Sequence, residues 1–135
     1  MAVGRIDHIA VAVTSIEEVL PVYEALGLAV AHREEVAEQK VRTAFLPVGE
    51  SRIELLEPTD PESAVGKFLR SRGPGLHHVC FAVQGIESVL ADLQKRGFRL
   101  INSSPVAGAD GKKVAFLHPA SGRGVLIELS ENARP

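Results

Sequence analysis

The sequence predicts an α+β fold in which two βαβββ modules in tandem form one curved mixed sheet. The main observation is an internal repeat: HIAVAVTSIEEVLPVYEALG (8–27) aligns without a gap to HVCFAVQGIESVLADLQKRG (78–97), with eight identities in twenty positions. TAFLPV (43–48) then aligns with VAFLHP (114–119). Such a repeat predicts two copies of one supersecondary unit, each too small to bury its own sheet alone.

The first module has the pattern of a strand, a helix and three further strands. Residues 6–13 alternate in hydropathy, as a half-buried strand does. Apolar residues recur with helical spacing from Ile16 to Leu26, and Gly27 is a typical helix stop. Short apolar runs predict the remaining strands at 28–34, 41–48 and 51–57.

The second module repeats this order. A strand over 77–83 is followed by a helix that starts at Ile86 and stops at Gly97. Strands are then predicted at 98–102, 113–118 and 124–130. We therefore expect residues 1–135 to form a single domain, with module 1 at about 5–58, a connector with a short helix at 59–74, and module 2 at about 75–131.

Composition excludes several classes of function. The chain has 135 residues, of which 45% are hydrophobic and 24% charged, and its net charge of −2 gives no basic footprint for nucleic acid. No apolar run approaches the roughly 18 residues of a membrane span, so we expect no membrane partner. Cys80 is the only cysteine, and the N-terminus lacks signal-peptide character, which together favour a reducing, cytoplasmic location.

The faces of four predicted strands single out two histidines and two glutamates. Because side chains alternate across a strand, His8 and His78 share their faces with small residues, while bulky neighbours point the other way. Glu54 and Glu128 interrupt apolar strands at repeat-equivalent positions. A carboxylate in an apolar strand is costly unless it is paired or binds a metal.

Two readings compete for these residues. A single His or Glu on a strand is more often hydrogen-bonded within the protein or exposed to solvent than it is a metal ligand. Related by a pseudo-twofold axis, however, His8, Glu54, His78 and Glu128 would occupy four symmetric positions. Two imidazoles and two carboxylates suit a divalent first-row metal, so the sequence favours an open metal site at the centre of the curved sheet.

The other histidines are expected to be structural. His77 aligns with Asp7 on the opposite strand face, which predicts packing or a hydrogen bond to a metal ligand. His32 and His118 lie at predicted strand ends, where a surface or turn position is favoured.

At this point the sequence resembles a known family. The duplicated module with His and Glu at these places is similar to the vicinal oxygen chelate (glyoxalase) superfamily, and within it to the methylmalonyl-CoA epimerases, over about residues 5–131. The motifs that carry the resemblance are DHIAVAV (7–13), EQKVRTAFL (38–46), IELLEP (53–58), GLHHVCFAV (75–83), VAFLHP (114–119) and GVLIEL (124–129).

The resemblance implies a cofactor and a reaction. It implies one divalent metal ion (cobalt, manganese, nickel or zinc) bound at His8, Glu54, His78 and Glu128. It also implies epimerisation of (2R)- and (2S)-methylmalonyl-CoA through proton removal at C2. Two carboxylates on opposite sides of the metal are a natural acid–base pair, and our hypothesis gives one role to Glu128 and the other to its repeat equivalent, Glu54. One position departs from the family, because Thr43 stands where some epimerases have a Glu proposed as the base.

The same resemblance implies a coenzyme A thioester as the partner and a homodimer as the assembly. Basic side chains that could meet the phosphates of coenzyme A, each also readable as solvated surface, are Lys67, Arg70, Arg72, Lys112 and Lys113. The alternatives within the superfamily are a glyoxalase I-type lyase, which shares the ligand set, and a non-catalytic ligand-binding module of the resistance type. A ring-cleaving dioxygenase fits less well, since it would need two His and one carboxylate around iron.

Overall fold

The computed structural model describes residues 2–132 and contains eight strands and three α-helices within them. In chain order these are β1 (Val3–Ala12), α1 (Ile16–Ala25), β2 (His32–Val36), β3 (Val41–Val48), β4 (Ser51–Pro58), α2 (Ala64–Arg72), β5 (Gly75–Val83), α3 (Ile86–Lys95), β6 (Val106–Ala107), β7 (Lys112–Phe116) and β8 (Ile127–Asn132). This order contains the predicted βαβββ pattern twice, with α2 in the connector, and confirms the α+β class. Among the residues described, no helix has the length and apolarity needed to cross a membrane.

The chain divides into two compact units. The first unit is His8–His77, and the second unit consists of residues 2–7 together with 78–132. The divisions fall inside β1 and β5, directly before His8 and directly before His78. The expectation of a single domain remains a prediction.

The first unit has a four-stranded mixed sheet in the order β2-β3-β4-β1, in which only β1 and β4 run parallel. One face of the sheet packs on α1 through a buried cluster of Val13, Ile16, Leu20, Ala44, Leu46 and Leu55. Val11 packs against the same cluster, so the bulky face of β1 lies under the helix as predicted. His8, Ala10 and Ala12 are buried on the other face.

The second unit repeats this arrangement with the order β5-β8-β7-β6. Its parallel pair is β5 with β8, and β7 runs antiparallel to both β8 and β6. The core under α3 consists of Val83, Ile86, Leu90, Ala115, Leu117 and Leu129. The packed faces of the two units therefore come from repeat-equivalent positions.

Some predicted strand bounds are wrong, and backbone hydrogen bonds explain why. No strand covers 98–102, where Leu100 forms only an isolated bridge and the Asn102 side chain accepts a hydrogen bond from the Phe116 backbone. The β2 strand begins at His32 rather than at 28, because the Leu28 amide bonds back to the end of α1. The last strand begins at Ile127 rather than at 124, after a turn in which Gly124 has a φ of 103°.

Candidate metal and proton-transfer site

The first unit brings His8 and Glu54 together. The β1–β4 register places Glu54 beside Ala10, two residues after His8 on β1. The side chains of His8 and Glu54 both lie on the sheet face that points away from α1. The Nε2 atom of His8 lies 3.1 Å from Oε1 of Glu54. Both residues are 5% exposed. A buried carboxylate is thus stabilised by an imidazole at hydrogen-bond distance.

The second unit brings His78 and Glu128 together in the same way. The β5–β8 register pairs Glu128 with Cys80, which is the repeat equivalent of Ala10. The Nε2 atom of His78 lies 2.8 Å from Oε1 of Glu128, and both residues are buried. Each unit therefore brings together one His and one Glu of the four residues that the repeat singled out.

Sequence reasoning missed a phenylalanine beside each pair. Phe45 on β3 lies opposite Glu54, and its ring meets the His8 ring edge-on at 5.8 Å and 77°. Phe116 on β7 lies opposite Glu128 and meets the His78 ring at 5.5 Å and 86°. Edge-on contact of this kind orients an imidazole without using its nitrogens. The repeated AFL triplet, at 44–46 and 115–117, was the available signal.

The surroundings of the two phenylalanines differ. The Arg52 guanidinium carbon lies 4.0 Å from the centre of the Phe45 ring, and the His32 ring stacks on Phe45 at 6.0 Å. Arg52 is the β1 register partner of His8. The repeat equivalent of Arg52 in the second unit is Leu126, so the first unit alone places a cation at this position.

A second glutamate on β4 and on β8 accepts hydrogen bonds from the start of a helix. Glu57, three residues after Glu54, accepts a hydrogen bond from the Ile16 amide at 2.9 Å, at the start of α1. Glu131, three residues after Glu128, accepts from the amides of Gly85 at 2.6 Å and Ile86 at 3.0 Å, at the start of α3. These backbone hydrogen bonds lower the pKa of Glu131. Sequence reasoning did not single out either residue, although IELLE and IELSE are repeat-equivalent.

Thr43 offers no acid or base where some epimerases have one. Its side chain is 2% exposed, and its hydroxyl donates to the Glu34 carbonyl at 3.3 Å. Glu34 is its cross-strand partner on β2, and the Glu34 carboxylate contacts His32 Nε2 at 2.9 Å.

The remaining histidines are in structural positions. His77 packs edge-on against Phe68 of α2 at 4.9 Å, as expected for a packing residue. The His32 side chain is 42% exposed, which agrees with a surface position. His118 accepts a hydrogen bond from the Ala120 amide at 3.0 Å, which agrees with a turn.

Three of the basic side chains considered for coenzyme A are engaged in ion pairs. Lys112 lies 3.0 Å from Asp7, a fully buried carboxylate that Arg5 also approaches at 3.3 Å. Lys113 bonds Glu87 at 3.0 Å, and this partner raises the pKa of Lys113. Arg70 bonds Glu62 on the surface. These pairs give the three cations partners within the protein, so none stands out as a phosphate ligand.

The donor set fits a divalent metal. Each unit supplies one imidazole and one carboxylate, and both pairs are buried in otherwise apolar strands. Imidazole and carboxylate are the donors that zinc, nickel, cobalt and manganese accept in proteins. The residues present are therefore compatible with the metal that the sequence pattern predicts.

Comparison with known proteins gives the class. Residues 7–116 match the model of the glyoxalase/bleomycin resistance protein/dioxygenase superfamily. The chain belongs to this superfamily.

Two individual relatives show which members of the superfamily this chain resembles. The chain is 44% identical to the uncharacterized protein YqjC of Bacillus subtilis, over 95% of this chain and 92% of that protein. It is 37% identical to the mitochondrial methylmalonyl-CoA epimerase of Mus musculus, over 95% of this chain and 73% of the relative. The resemblance to methylmalonyl-CoA epimerases expected from the motifs is thereby confirmed.

A solved structure supports the resemblance to methylmalonyl-CoA epimerases. The chain superposes with a TM-score of 0.94 on a Streptomyces coelicolor methylmalonyl-CoA epimerase in complex with 2-nitronate-propionyl-CoA. The two are 38% identical over 98% of this chain and 97% of the other. The fold is that of the epimerases.

Proposed function

We propose that this chain is a metal-dependent epimerase that interconverts (2R)- and (2S)-methylmalonyl-CoA. The observation that carries the proposal is the pair of buried His–Glu contacts at repeat-equivalent positions. They occur in a chain whose similar proteins include named methylmalonyl-CoA epimerases. The substrate is a coenzyme A thioester with a free carboxylate on the carbon next to the thioester carbonyl.

The ligands of the metal in this proposal are His8, Glu54, His78 and Glu128. Donor chemistry supports this set, since each of the four residues is buried and offers an imidazole nitrogen or a carboxylate oxygen. One divalent ion per chain is expected, whether cobalt, manganese, nickel or zinc. Bound there, the ion would act as a Lewis acid that stabilises negative charge on the substrate oxygens.

The chain's own carboxylates carry the proton in this proposal. Glu128 takes the C2 proton on its carboxylate, and the electron pair of the broken C–H bond moves onto the thioester carbonyl as an enolate. Glu54, which must carry a proton when the substrate binds, donates that proton to the opposite face of C2, which inverts the centre and leaves Glu54 ionised and Glu128 protonated. The apolar residues around each pair keep water away and strengthen these interactions. Because Thr43 supplies no carboxylate, Glu54 is the candidate in the first unit for the second role.

The assembly and location complete the proposal. We expect a homodimer, because twofold pairing is the commonest arrangement of soluble chains, and a cytoplasmic enzyme with a small-molecule substrate. Light scattering on the purified protein measures the first expectation.

The decisive test is proton exchange at C2 of methylmalonyl-CoA in deuterated water, followed by NMR with and without a chelator. Rapid exchange that stops on chelation and returns with one equivalent of added metal per chain is the expected result. Two equivalents per chain would contradict a single shared ion.

Absence of exchange with metal demonstrably bound would overturn the epimerase proposal. A panel that includes the glutathione hemithioacetal of methylglyoxal then tests the glyoxalase I-type alternative, which has the same ligand types. No turnover and no bound metal would favour a ligand-binding module.

A further inference from the structure

Ser130 on β8 has a buried hydroxyl that the proposed mechanism does not use. The residue is 1% exposed, and its Oγ atom has no hydrogen-bond partner among residues 2–132. A buried polar atom without a partner has lost its hydrogen bonds to water and gained none in return, which costs free energy. Such atoms are rare in native proteins, and each one therefore requires an explanation.

The neighbours of Ser130 on the adjacent strands have no polar side-chain atoms. The register pairs Ser130 with Ala82 on β5 and with Val114 on β7. Glu128 lies on the same face of β8, two residues earlier, so its Cα is about 6.6 Å from that of Ser130. Asn132, two residues later, is exposed at the end of the strand. The hydroxyl therefore lies next to Glu128, between two apolar cross-strand neighbours.

The first unit does not have a hydroxyl at this position. The repeat equivalent of Ser130 is Leu56, which is 4% exposed, so a buried apolar side chain is compatible with the same strand pairing. The first unit instead has a hydroxyl on the cross-strand neighbour, Thr43, where the second unit has Val114. The Thr43 hydroxyl donates to the Glu34 carbonyl. The Ser130 hydroxyl therefore accompanies the proposed base and is not a requirement of the fold.

Strand register places Glu128 between His78 and Ser130. Cys80 is the register partner of Glu128 and Ala82 is that of Ser130, so His78 lies beyond Glu128 in the direction away from Ser130. Oε1 of Glu128 is 2.8 Å from Nε2 of His78, so the carboxylate leans toward the histidine. A glutamate side chain that leans the other way along the strand reaches a hydroxyl two residues later.

We infer that Ser130 is a positioning residue whose hydroxyl holds the Glu128 carboxylate when that carboxylate turns from His78 to take the C2 proton. This inference rests on the proposed function, which makes Glu128 the base. A hydroxyl suits this role because it both donates and accepts hydrogen bonds. It donates to the ionised carboxylate, and its oxygen accepts from the carboxylic acid that forms once Glu128 has taken the proton. Glu128 thereby keeps the same partner in both protonation states.

Two isosteric variants test the inference. Ser130→Thr keeps the hydroxyl and adds a methyl group, whereas Ser130→Val has the same shape without the hydroxyl. The measurements are the kcat and KM of C2 exchange by the metal-loaded protein in deuterated water, followed by NMR at varied methylmalonyl-CoA concentration. We expect S130V to exchange about tenfold more slowly than S130T at saturation, with the same KM, because one hydrogen bond to a charged group is lost.

Stability and a matched control separate positioning from packing. Because the Ser130 hydroxyl has no partner among the described residues, S130V should melt no lower than S130T. Thr43→Val is the control, since Thr43 is also buried but its hydroxyl donates to a backbone carbonyl. T43V should lower the Tm and leave the kcat of exchange unchanged. Mass spectrometry checks that each variant carries the wild-type amount of metal.

The contrary outcomes are distinguishable. If S130V and S130T exchange equally fast, or if they differ only in KM, the inference is overturned while the proposed function stands. A Tm of S130V below that of S130T also overturns it, because the hydroxyl would then be part of the packed structure. If the wild type shows no exchange, the proposed function fails and the inference fails with it.

Discussion

The His8–Glu54 pair and the His78–Glu128 pair are built from the same parts. In each, the imidazole contacts a glutamate on the parallel neighbouring strand and a phenylalanine edge-on. Around that shared arrangement the two units diverge, with Arg52 over Phe45 in the first unit and Leu126 at the equivalent place in the second. Duplication thus preserved the donors and allowed their neighbours to change. In the proposed function Glu128 removes the C2 proton and Glu54 returns one, so the two units also differ in proposed role.

Replacing each glutamate by glutamine should separate the two roles most strongly. Glu128→Gln removes the proposed base, and we expect C2 exchange to slow by about 10²- to 10⁴-fold. Glu54→Gln keeps an oxygen donor, and we expect a smaller loss. NMR exchange rates and metal content by mass spectrometry provide the measurements. Equal losses would refute the asymmetry, and full activity with full metal content in E54Q would make Glu54 only a replaceable ligand.

The phenylalanines should differ in what they contribute to stability. Phe45 is fully buried, so Phe45→Ala should lower the free energy of unfolding by about 3–5 kcal/mol. Phe116 is half-buried, and Phe116→Ala should cost less. Urea unfolding followed by circular dichroism measures both. A larger cost at Phe116 would mean that the contact with His78 matters more than burial.

The hydrogen bonds that cap the starts of α1 and α3 should differ by a smaller amount in their contribution to stability. The start of α3 has no side-chain cap from Gly85 and relies on Glu131, whereas α1 has both Glu57 and the Ser15 hydroxyl. Glu131→Gln should therefore lower the free energy of unfolding by about 1 kcal/mol, and Glu57→Gln by less. Thermal melts of the two variants beside the wild type test the order, and the reverse order would contradict this ranking of the two caps.

The smallest effect is the pH dependence of the α3 cap. The amides of Ile86 and Gly85 lower the pKa of Glu131 in the folded protein. The stabilisation is therefore complete above the unfolded-state pKa of about 4.3 and is lost as the pH falls through the folded value. The difference in unfolding free energy between wild type and E131Q should be constant near neutrality and shrink in acid. A difference that grows on acidification would contradict this assignment.

Sequence periodicity was sufficient to predict much of the candidate site. The repeat and the alternation along β1 and β5 separated His8 and His78 from their bulky neighbours, because the side-chain period of a strand is a local property. The same reasoning assigned Glu54 and Glu128 to interrupted apolar strands. It wrongly predicted a strand at 98–102. There the Asn102 side chain accepts a hydrogen bond from the Phe116 backbone amide of β7.

By itself, the sequence determined the duplication, the order of the elements and the four candidate ligands, since these depend on spacing along the chain. Only the tertiary structure decided which side chains surround the candidate ligands: Phe45 and Phe116 on antiparallel neighbours, Glu57 and Glu131 at the helix starts, and Arg52 over the Phe45 ring. Asp7 and Lys112 likewise meet although 105 residues separate them. The physical reason is that strand register, set by long-range hydrogen bonds and core packing, fixes these cross-strand neighbours, and no local pattern encodes it.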